Sequence, residues 1–82
     1  MSSQVSVGAT VLEILSEVLE EAVDDLRKEP VLAAHDWNSL VSLEVLAQLE
    51  SQLDVVLDLR SFHAVRTVDD LIGLAADMTV PR

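Results

Sequence analysis

The chain has 82 residues, which is enough for one domain with a single apolar core and leaves no room for a second domain. Half of the residues are hydrophobic, whereas only Trp37 and Phe62 are aromatic and Gly and Pro are scarce, so the composition favours a compact helical fold. Five basic residues against fifteen acidic ones give a net charge of −10, which repels nucleic acids and anionic membranes, and the lack of Cys excludes disulfides, thiolate nucleophiles and Cys-type zinc sites.

The first residues of the sequence do not have the pattern of a targeting signal, so none is expected from them. Residues 1–8 lack a basic region followed by a long apolar run, and no later segment is apolar over the length needed to cross a membrane. We therefore expect a cytoplasmic protein that binds neither nucleic acid nor membrane. Residues 1–82 should form one domain, with 1–8 and 79–82 flexible.

The first predicted helix begins at Thr10. Thr10 and Glu13 fit a capping box, in which each side chain bonds the free backbone amide of the other residue, and Gly8 marks the preceding loop. Acidic residues 24–25 and the cluster that ends in Pro30 predict that the helix ends between residues 21 and 26. Its apolar residues recur at the three- and four-residue spacing of an amphipathic helix: Val11, Leu12, Leu15, Val18, Leu19, Ala22 and Leu26.

A loop and a second helix follow. Residues 27–38 are predicted to form a loop, which Val31 and Leu32 would hold to the core. The second helix is predicted over residues 39–53, with Asn38 or Ser39 as its cap. Its apolar face should comprise Leu40, Leu43, Leu46, Ala47, Leu49 and Leu53, and its polar face Glu44, Gln48, Ser51 and Gln52.

The last third of the chain should contain one helical turn and one longer helix. Residues 55–59 are rich in β-branched residues and could form a short strand, but we interpret them as an extended connection. A single turn is predicted over 59–64, and the last helix begins at Thr67, which forms a capping box with Asp70. Val68, Leu71, Ile72, Ala75 and Met78 should face inward. The predicted fold class is all-α: a small helical bundle of three main helices plus one short helical turn, with a long first loop.

The segment around Ser39 resembles the modification site of acyl carrier proteins. The residues Asp36-Trp37-Asn38-Ser39-Leu40 precede a pattern of apolar and Glu residues that runs through Leu49-Glu50 to Leu53-Asp54. Residues 67–71 resemble the start of the last helix in that family. The resemblance extends from Val11 to Ala76, and it implies an acyl-carrier-like bundle that is not itself an enzyme.

The resemblance also implies a prosthetic group at Ser39. A phosphopantetheinyl transferase would attach 4'-phosphopantetheine from coenzyme A to Ser39, beside Asn38 and Leu40, and the thiol of the arm would carry acyl groups as thioesters. A phosphate there would lie at the positive end of a helix dipole. A ketosynthase, an acyltransferase or another acyl-processing enzyme would then act on the cargo. The residues expected to contact partners are Trp37, Val41, Glu44, Val45 and Glu50.

Two features depart from the family pattern. Asn38 replaces the usual Asp, which keeps a helix cap but removes a negative charge from the surface that meets the transferase, so that arm attachment would either be slower or need a dedicated transferase. The second helix, the usual docking surface, has only Glu44 and Glu50 as acids, so partners should rely more on apolar contacts with Val41 and Val45. Seven acids between residues 10 and 29 are read as a solvated face. These departures favour a monomeric carrier of polyketide or related specialised biosynthesis, and leave fatty and aminoacyl cargo open.

The same residues allow other interpretations. An unmodified acidic adaptor would bind a basic partner and use Ser39 only as a first-turn residue, with Asn38 as its best support. A hydrolase triad of His35, Asp36 and Ser39 would need an oxyanion hole and a substrate pocket that so small a chain lacks room to build. His35 and His63 match no metal motif. Trp37 is expected to be a partly buried anchor of the loop.

Overall fold

The structure, a computed structural model, describes residues 7–78 of the chain. These residues form five α-helices, α1 (Val7–Leu19), α2 (Val23–Lys28), α3 (Ser39–Leu53), α4 (Leu59–Ala64) and α5 (Val68–Met78), and a 3-10 helix (Leu32–Ala34) before α3. The predicted all-α bundle with three long helices is confirmed, and α2 is a further short helix that the sequence did not predict. The expected flexibility of 1–6 and 79–82 concerns segments outside the described residues.

Helix α1 begins earlier than predicted. Thr10 lies inside the helix and is only 6% exposed, and Gly8 is helical, so both the predicted capping box and the predicted loop are wrong. Val7 packs against the same core as Val11, which lies four residues further on. Burial of that additional apolar turn outweighs the local capping signal at Thr10, because tertiary packing supplies most of the stability of a helix in a protein.

Helix α1 also ends before the predicted range of 21–26. Its last residue is Leu19, and Glu20 adopts the left-handed conformation with φ of 56°, which stops the helix. The amide of Glu21 donates to the carbonyl oxygen of Ser16 at 3.1 Å and seals the turn. The buried Leu26, which the periodicity assigned to α1, reaches the core from α2 instead.

The core lies where α1 packs against α3, α5 and α2, and α4 packs against α5. Its largest fully buried side chains are Val11, Ile14, Leu15, Leu26, Leu32, Val45, Leu49, Phe62 and Leu71. Burial of each such side chain stabilises the fold by about 1.5–3 kcal/mol. No helix within residues 7–78 is both long and apolar enough to cross a lipid bilayer.

Helix α3 has the predicted bounds but turns a different face to the core. Its buried residues are Ser42, Val45, Leu46 and Leu49, whereas Leu40 is 75% exposed and Leu43 is 50% exposed. The predicted inward position of Leu40, Leu43 and Ala47 is therefore wrong. Apolar residues occur on several sides of this helix, so its periodicity did not single out the stripe that contacts the other helices.

The long loop is fastened to the segment before α5. The amide of Leu32 donates to the carbonyl of Arg66 at 3.0 Å, and the amide of Val68 donates to the carbonyl of Pro30 at 2.8 Å. Leu32 is fully buried, as predicted, but Val31 is 43% exposed, so only one of the two predicted anchors reaches the core. These two backbone hydrogen bonds add to the attachment that Leu32 provides.

The predicted elements in the last third of the chain are confirmed, apart from the position of the Met78 side chain. Residues 55–58 form an irregular connection, and 59–64 form the short helix α4. The amide of Asp70 donates to Thr67 Oγ1 at 3.0 Å, and Asp70 Oδ2 accepts from the amide of Thr67 at 3.2 Å, as in a capping box. Val68, Leu71 and Ala75 are buried and Ile72 packs against the core. The side chain of Met78 lies outside what the structure describes.

Candidate functional site

The start of α3 is held by Asn38. This residue has extended backbone angles, and its Oδ1 accepts a hydrogen bond from the amide of Val41 at 2.9 Å. Its carbonyl oxygen accepts the amide of Ser42 at 2.8 Å, which is the first hydrogen bond of the helix. The side chain of Asn38 also donates to the carbonyl of Asp36 at 3.3 Å. The predicted cap is confirmed, and it fixes both the helix and the residues just before it.

Ser39 is the first residue of α3 and its side chain is exposed. The first-turn amides of a helix have no partner within the helix, and the dipole places a partial positive charge there. A phosphate ester on the Ser39 oxygen would therefore lie next to groups that stabilise an anion. An enzyme approaching from solvent would meet this hydroxyl without displacing the core.

Trp37 anchors the segment that leads to Ser39. Its ring is half-buried and packs against Phe62, with ring centroids 6.2 Å apart and a tilt of 54°. The amide of Trp37 donates to the carbonyl of His35 at 2.6 Å. The prediction of a partly buried loop anchor is confirmed. A half-open pocket of about 220 Å³ lies beside the indole, lined by Val31, Leu32, Ala33, Trp37, Val65 and Arg66.

His35 has a structural environment that sequence reasoning missed. Its Nδ1 lies 2.7 Å from Glu21 Oε1, and its Nε2 lies 2.7 Å from the carbonyl oxygen of Glu29. The hydrogen bond to the Glu29 carbonyl is the largest influence on the pKa of His35; burial opposes it, Glu21 reinforces it, and the pKa is raised above 6.5. The separation of 14 residues between His35 and Glu21 has no local sequence signal.

The structure does not assemble a hydrolase or a metal site around these residues. Both ring nitrogens of His35 are engaged by Glu21 and Glu29, so neither is available to activate Ser39. Asp36 is exposed, and the partners of the two His35 ring nitrogens are Glu21 and Glu29 rather than Asp36. Within residues 7–78, no group of three or more His, Asp and Glu residues is arranged to hold a metal ion.

The residues expected to contact partners are distributed differently from the prediction. Val45 is fully buried, which contradicts its expected role in docking, and Val41 is half-buried. Glu50 Oε2 accepts a hydrogen bond from the amide of Leu57 at 3.0 Å, so this carboxylate also supports the connection after α3. Glu44 is exposed as expected.

The exposed apolar surface of α3 is formed by Leu40 and Leu43, with Glu44 beside them. Positions three and four residues apart lie on one side of a helix, so these side chains neighbour one another and adjoin Ser39. The apolar spacing along α3 predicts that both leucines face the core, which is why Leu43 was missed as a surface residue. Two further apolar residues are exposed: Val56, in the connection between α3 and α4, and Leu59, the first residue of α4.

One family model and one curated protein are similar to most of this chain. The sequence model of the family described as "Phosphopantetheine attachment site" matches residues 9–75. Polyketide synthase PksR of Bacillus subtilis (strain 168) is 33% identical over 63 residues, which are 77% of this chain and 2% of that protein. The chain thus spans a very small part of this relative. No solved structure matches the chain.

Proposed function

The chain belongs to the phosphopantetheine attachment site family of carrier proteins, and on that premise we propose that Ser39 is the residue that bears the arm. The family carries a covalently attached 4'-phosphopantetheine group, and its members are carriers without catalytic activity of their own. The family and the cofactor predicted from the sequence are confirmed. The observation that carries the proposal is the exposed position of Ser39 at the first turn of α3.

A comparison of the serines within residues 7–78 supports this choice. Ser16 and Ser42 are partly or fully buried, and their hydroxyls donate to backbone carbonyls. Ser51 is exposed, but it lies near the C-terminal end of α3, where the helix dipole disfavours a phosphate. Ser61 is exposed near the start of α4, but its hydroxyl donates to Asp58 Oδ2 at 2.9 Å. The hydroxyl of Ser61 is therefore held by the residue that caps α4.

When bound, the arm supplies a thiol on which acyl groups are held as thioesters. The chain itself supplies the attachment oxygen of Ser39, a first turn held by Asn38, and a surface that partner enzymes recognise. Likeness to a protein named as a polyketide synthase supports a cargo from polyketide biosynthesis. A phosphopantetheinyl transferase would load the arm, and a ketosynthase, an acyltransferase or a related enzyme would process the cargo.

Partner enzymes would dock on the exposed side of α3 nearest the arm. Leu40 and Leu43 offer apolar contact area there, and Glu44 offers the neighbouring negative charge. This surface replaces the Val41 and Val45 pair expected from the sequence, because the side chain of Val45 is fully buried. Trp37 stabilises the loop beside this surface through its contact with Phe62.

Intact-mass spectrometry tests the attachment residue. The purified chain is incubated with coenzyme A and a broad-specificity phosphopantetheinyl transferase, in parallel with S39A and S61A. We expect a gain of one phosphopantetheinyl group in the parent and in S61A, which also removes an exposed first-turn hydroxyl, and no gain in S39A. Loading of S39A would refute the assignment. No gain in the parent with several transferases would favour the unmodified acidic adaptor, and capture of a basic partner would then be the next measurement.

A further inference from the structure

The imidazole of His35 joins parts of the fold that are distant in sequence. It contacts Glu21, in the turn between α1 and α2, and the carbonyl of Glu29, which follows α2, each at 2.7 Å. The side chain of His35 is only 5% exposed and that of Glu21 is 29% exposed. The loop before α3 thus has an enclosed contact that engages both ring nitrogens.

Both partner atoms of His35 are hydrogen-bond acceptors. A backbone carbonyl has no proton to donate, and neither has an ionised carboxylate, whereas a neutral imidazole has only one N–H. A carboxyl group ordinarily loses its proton at a much lower pH than an imidazolium does, so protonation of the carboxylate is not the way to satisfy both bonds. The two short contacts therefore require a proton on each ring nitrogen of His35.

Both anchors of this imidazolium are fixed by their own backbone hydrogen bonds. The amide of Glu21 donates to the Ser16 carbonyl at 3.1 Å, and the hydroxyl of Ser16 donates back to the Glu21 carbonyl. The amide of Glu29 donates to the Asp25 carbonyl at 3.0 Å. These bonds hold the backbone of both anchor residues, and the contacts with them limit the positions that His35 can take.

A series of hydrogen bonds leads from His35 to the start of α3. The carbonyl of His35 accepts the amide of Trp37 at 2.6 Å, and the carbonyl of Asp36 accepts the side-chain amide of Asn38 at 3.3 Å. Asn38 then caps α3 through the amide of Val41. Hydrogen bonds that begin at the carbonyl of His35 therefore help to hold the segment that presents Ser39.

We infer that His35 is a protonated clamp that fastens the loop before Ser39 to the turn between α1 and α2, and that loss of one imidazole proton loosens this loop. His35 is then a positioning residue for Ser39, a consequence that rests on the proposed function. The clamp itself does not depend on the arm.

The direction of the pH dependence follows from the charges around the imidazole. The carboxylates of Glu21 on the α1–α2 turn and of Glu29 after α2 are the charges that act on it, and together with the Glu29 carbonyl they raise the pKa of His35 above 6.5. A raised folded-state pKa stabilises the fold fully below the pKa of the unfolded chain, and this contribution is lost as the pH rises through the folded-state value. The clamp is therefore closed below the pKa of the unfolded chain and opens as the pH rises through the raised folded-state pKa of His35.

An NMR pH titration of the His35 ring protons tests the clamp. In the parent we expect a pKa above that of the same residue in the chain unfolded with urea. In E21Q, which keeps an acceptor oxygen but removes the charge, the pKa should be lower than in the parent. A folded-state pKa at or below the unfolded value, or the same pKa in E21Q and in the parent, would overturn the inference.

Urea unfolding at about pH 5.5 and about pH 9 gives a second test, because these values bracket the titration of an imidazole. H35Q should be destabilised relative to the parent, and the difference should be larger at the lower pH. H63Q, which removes the exposed imidazole on α4, is the matched control and should keep the pH dependence of the parent. Equal destabilisation of H35Q at both pH values would contradict the clamp.

The rate of arm attachment tests the positioning role of His35 separately from the existence of the clamp. The ratio of the attachment rate of the parent to that of H35Q cancels the pH dependence of the transferase. We expect a ratio above one at about pH 6 that falls towards one at about pH 9. A constant ratio would overturn the positioning role. If no arm is attached at any pH, the proposed function fails, whereas the NMR titration still decides whether the clamp exists.

Discussion

Helices α3 and α5 both begin with a side chain that accepts the amide three residues further on. Asn38 Oδ1 accepts the amide of Val41 at 2.9 Å, and Thr67 Oγ1 accepts the amide of Asp70 at 3.0 Å. The two starts differ in whether the side chain of that third residue accepts hydrogen bonds in turn. Asp70 Oδ2 accepts hydrogen bonds from the amides of Arg66 and Thr67, at 3.1 and 3.2 Å, whereas the side chain of Val41 has no oxygen that could accept one.

Because of this difference, the start of α5 is occupied by a carboxylate of the chain, whereas the start of α3 can accept an added anionic group. The hydrogen bond from the amide of Arg66, reinforced by those from Thr67, lowers the pKa of Asp70, so the start of α5 already holds its own anion. The start of α3 is capped by the neutral Asn38, and a phosphate attached there would be stabilised by the helix dipole. The exposed hydroxyl of Ser39 lies at that open start.

The largest expected effect comes from removing the side chain that supports both starts. Phe62 is fully buried, packs against Trp37 before α3, and lies on α4, which packs against α5. F62A should lower the free energy of unfolding by about 3–5 kcal/mol, because it leaves a cavity in the core. L59A, at a half-exposed position on the same helix, should change it by about 0.5 kcal/mol. Urea unfolding followed by circular dichroism measures both, and similar losses in the two variants would contradict the role of Phe62.

Removal of either cap should have a smaller effect on stability, and the two caps should differ in their effect on arm attachment. N38A and T67A each remove one accepted amide hydrogen bond, so each should lower the free energy of unfolding by about 1 kcal/mol. The rate of arm attachment should fall in N38A, whose first turn presents Ser39, and should remain that of the parent in T67A. Both rates are measured by intact mass under conditions in which the variants are folded. An equal fall in attachment for both would mean that only overall stability matters.

The elements that the sequence predicted well are those whose local signals agree with their packing. The bounds of α3 and the start of α5 follow from the capping residues Asn38 and Thr67, which the structure uses as caps. The start of α1 does not follow from Thr10, because packing of Val7 against the core extends the helix. Helix α2 was missed because the left-handed residue Glu20, which divides it from α1, is not a glycine.

The surroundings of Ser39 were predicted only as far as contiguous sequence determines them. Residues 36–40 identify the segment, and the cap at Asn38 could be inferred from its side chain. The exposed pair Leu40 and Leu43 could not, since leucines at helical spacing look the same whether they face the core or the solvent. The contact of His35 with Glu21 depends on how the turn after α1 folds, and no short-range pattern specifies it.

The smallest expected effect sharpens the comparison by placing a negative charge at the start of α3, as Asp70 does at α5. N38D keeps an equally good capping oxygen, so the free energy of unfolding should change by no more than about 0.5 kcal/mol. Arm attachment should become faster, by roughly fivefold or less at low salt, if the transferase presents a basic surface, because an exposed ion pair contributes up to about 1 kcal/mol. The gain should shrink as salt screens the charge. S51D adds the same charge near the far end of α3 and is the matched control. A rate that rises equally in both variants would show that net charge, and not the residue before Ser39, sets the rate of loading.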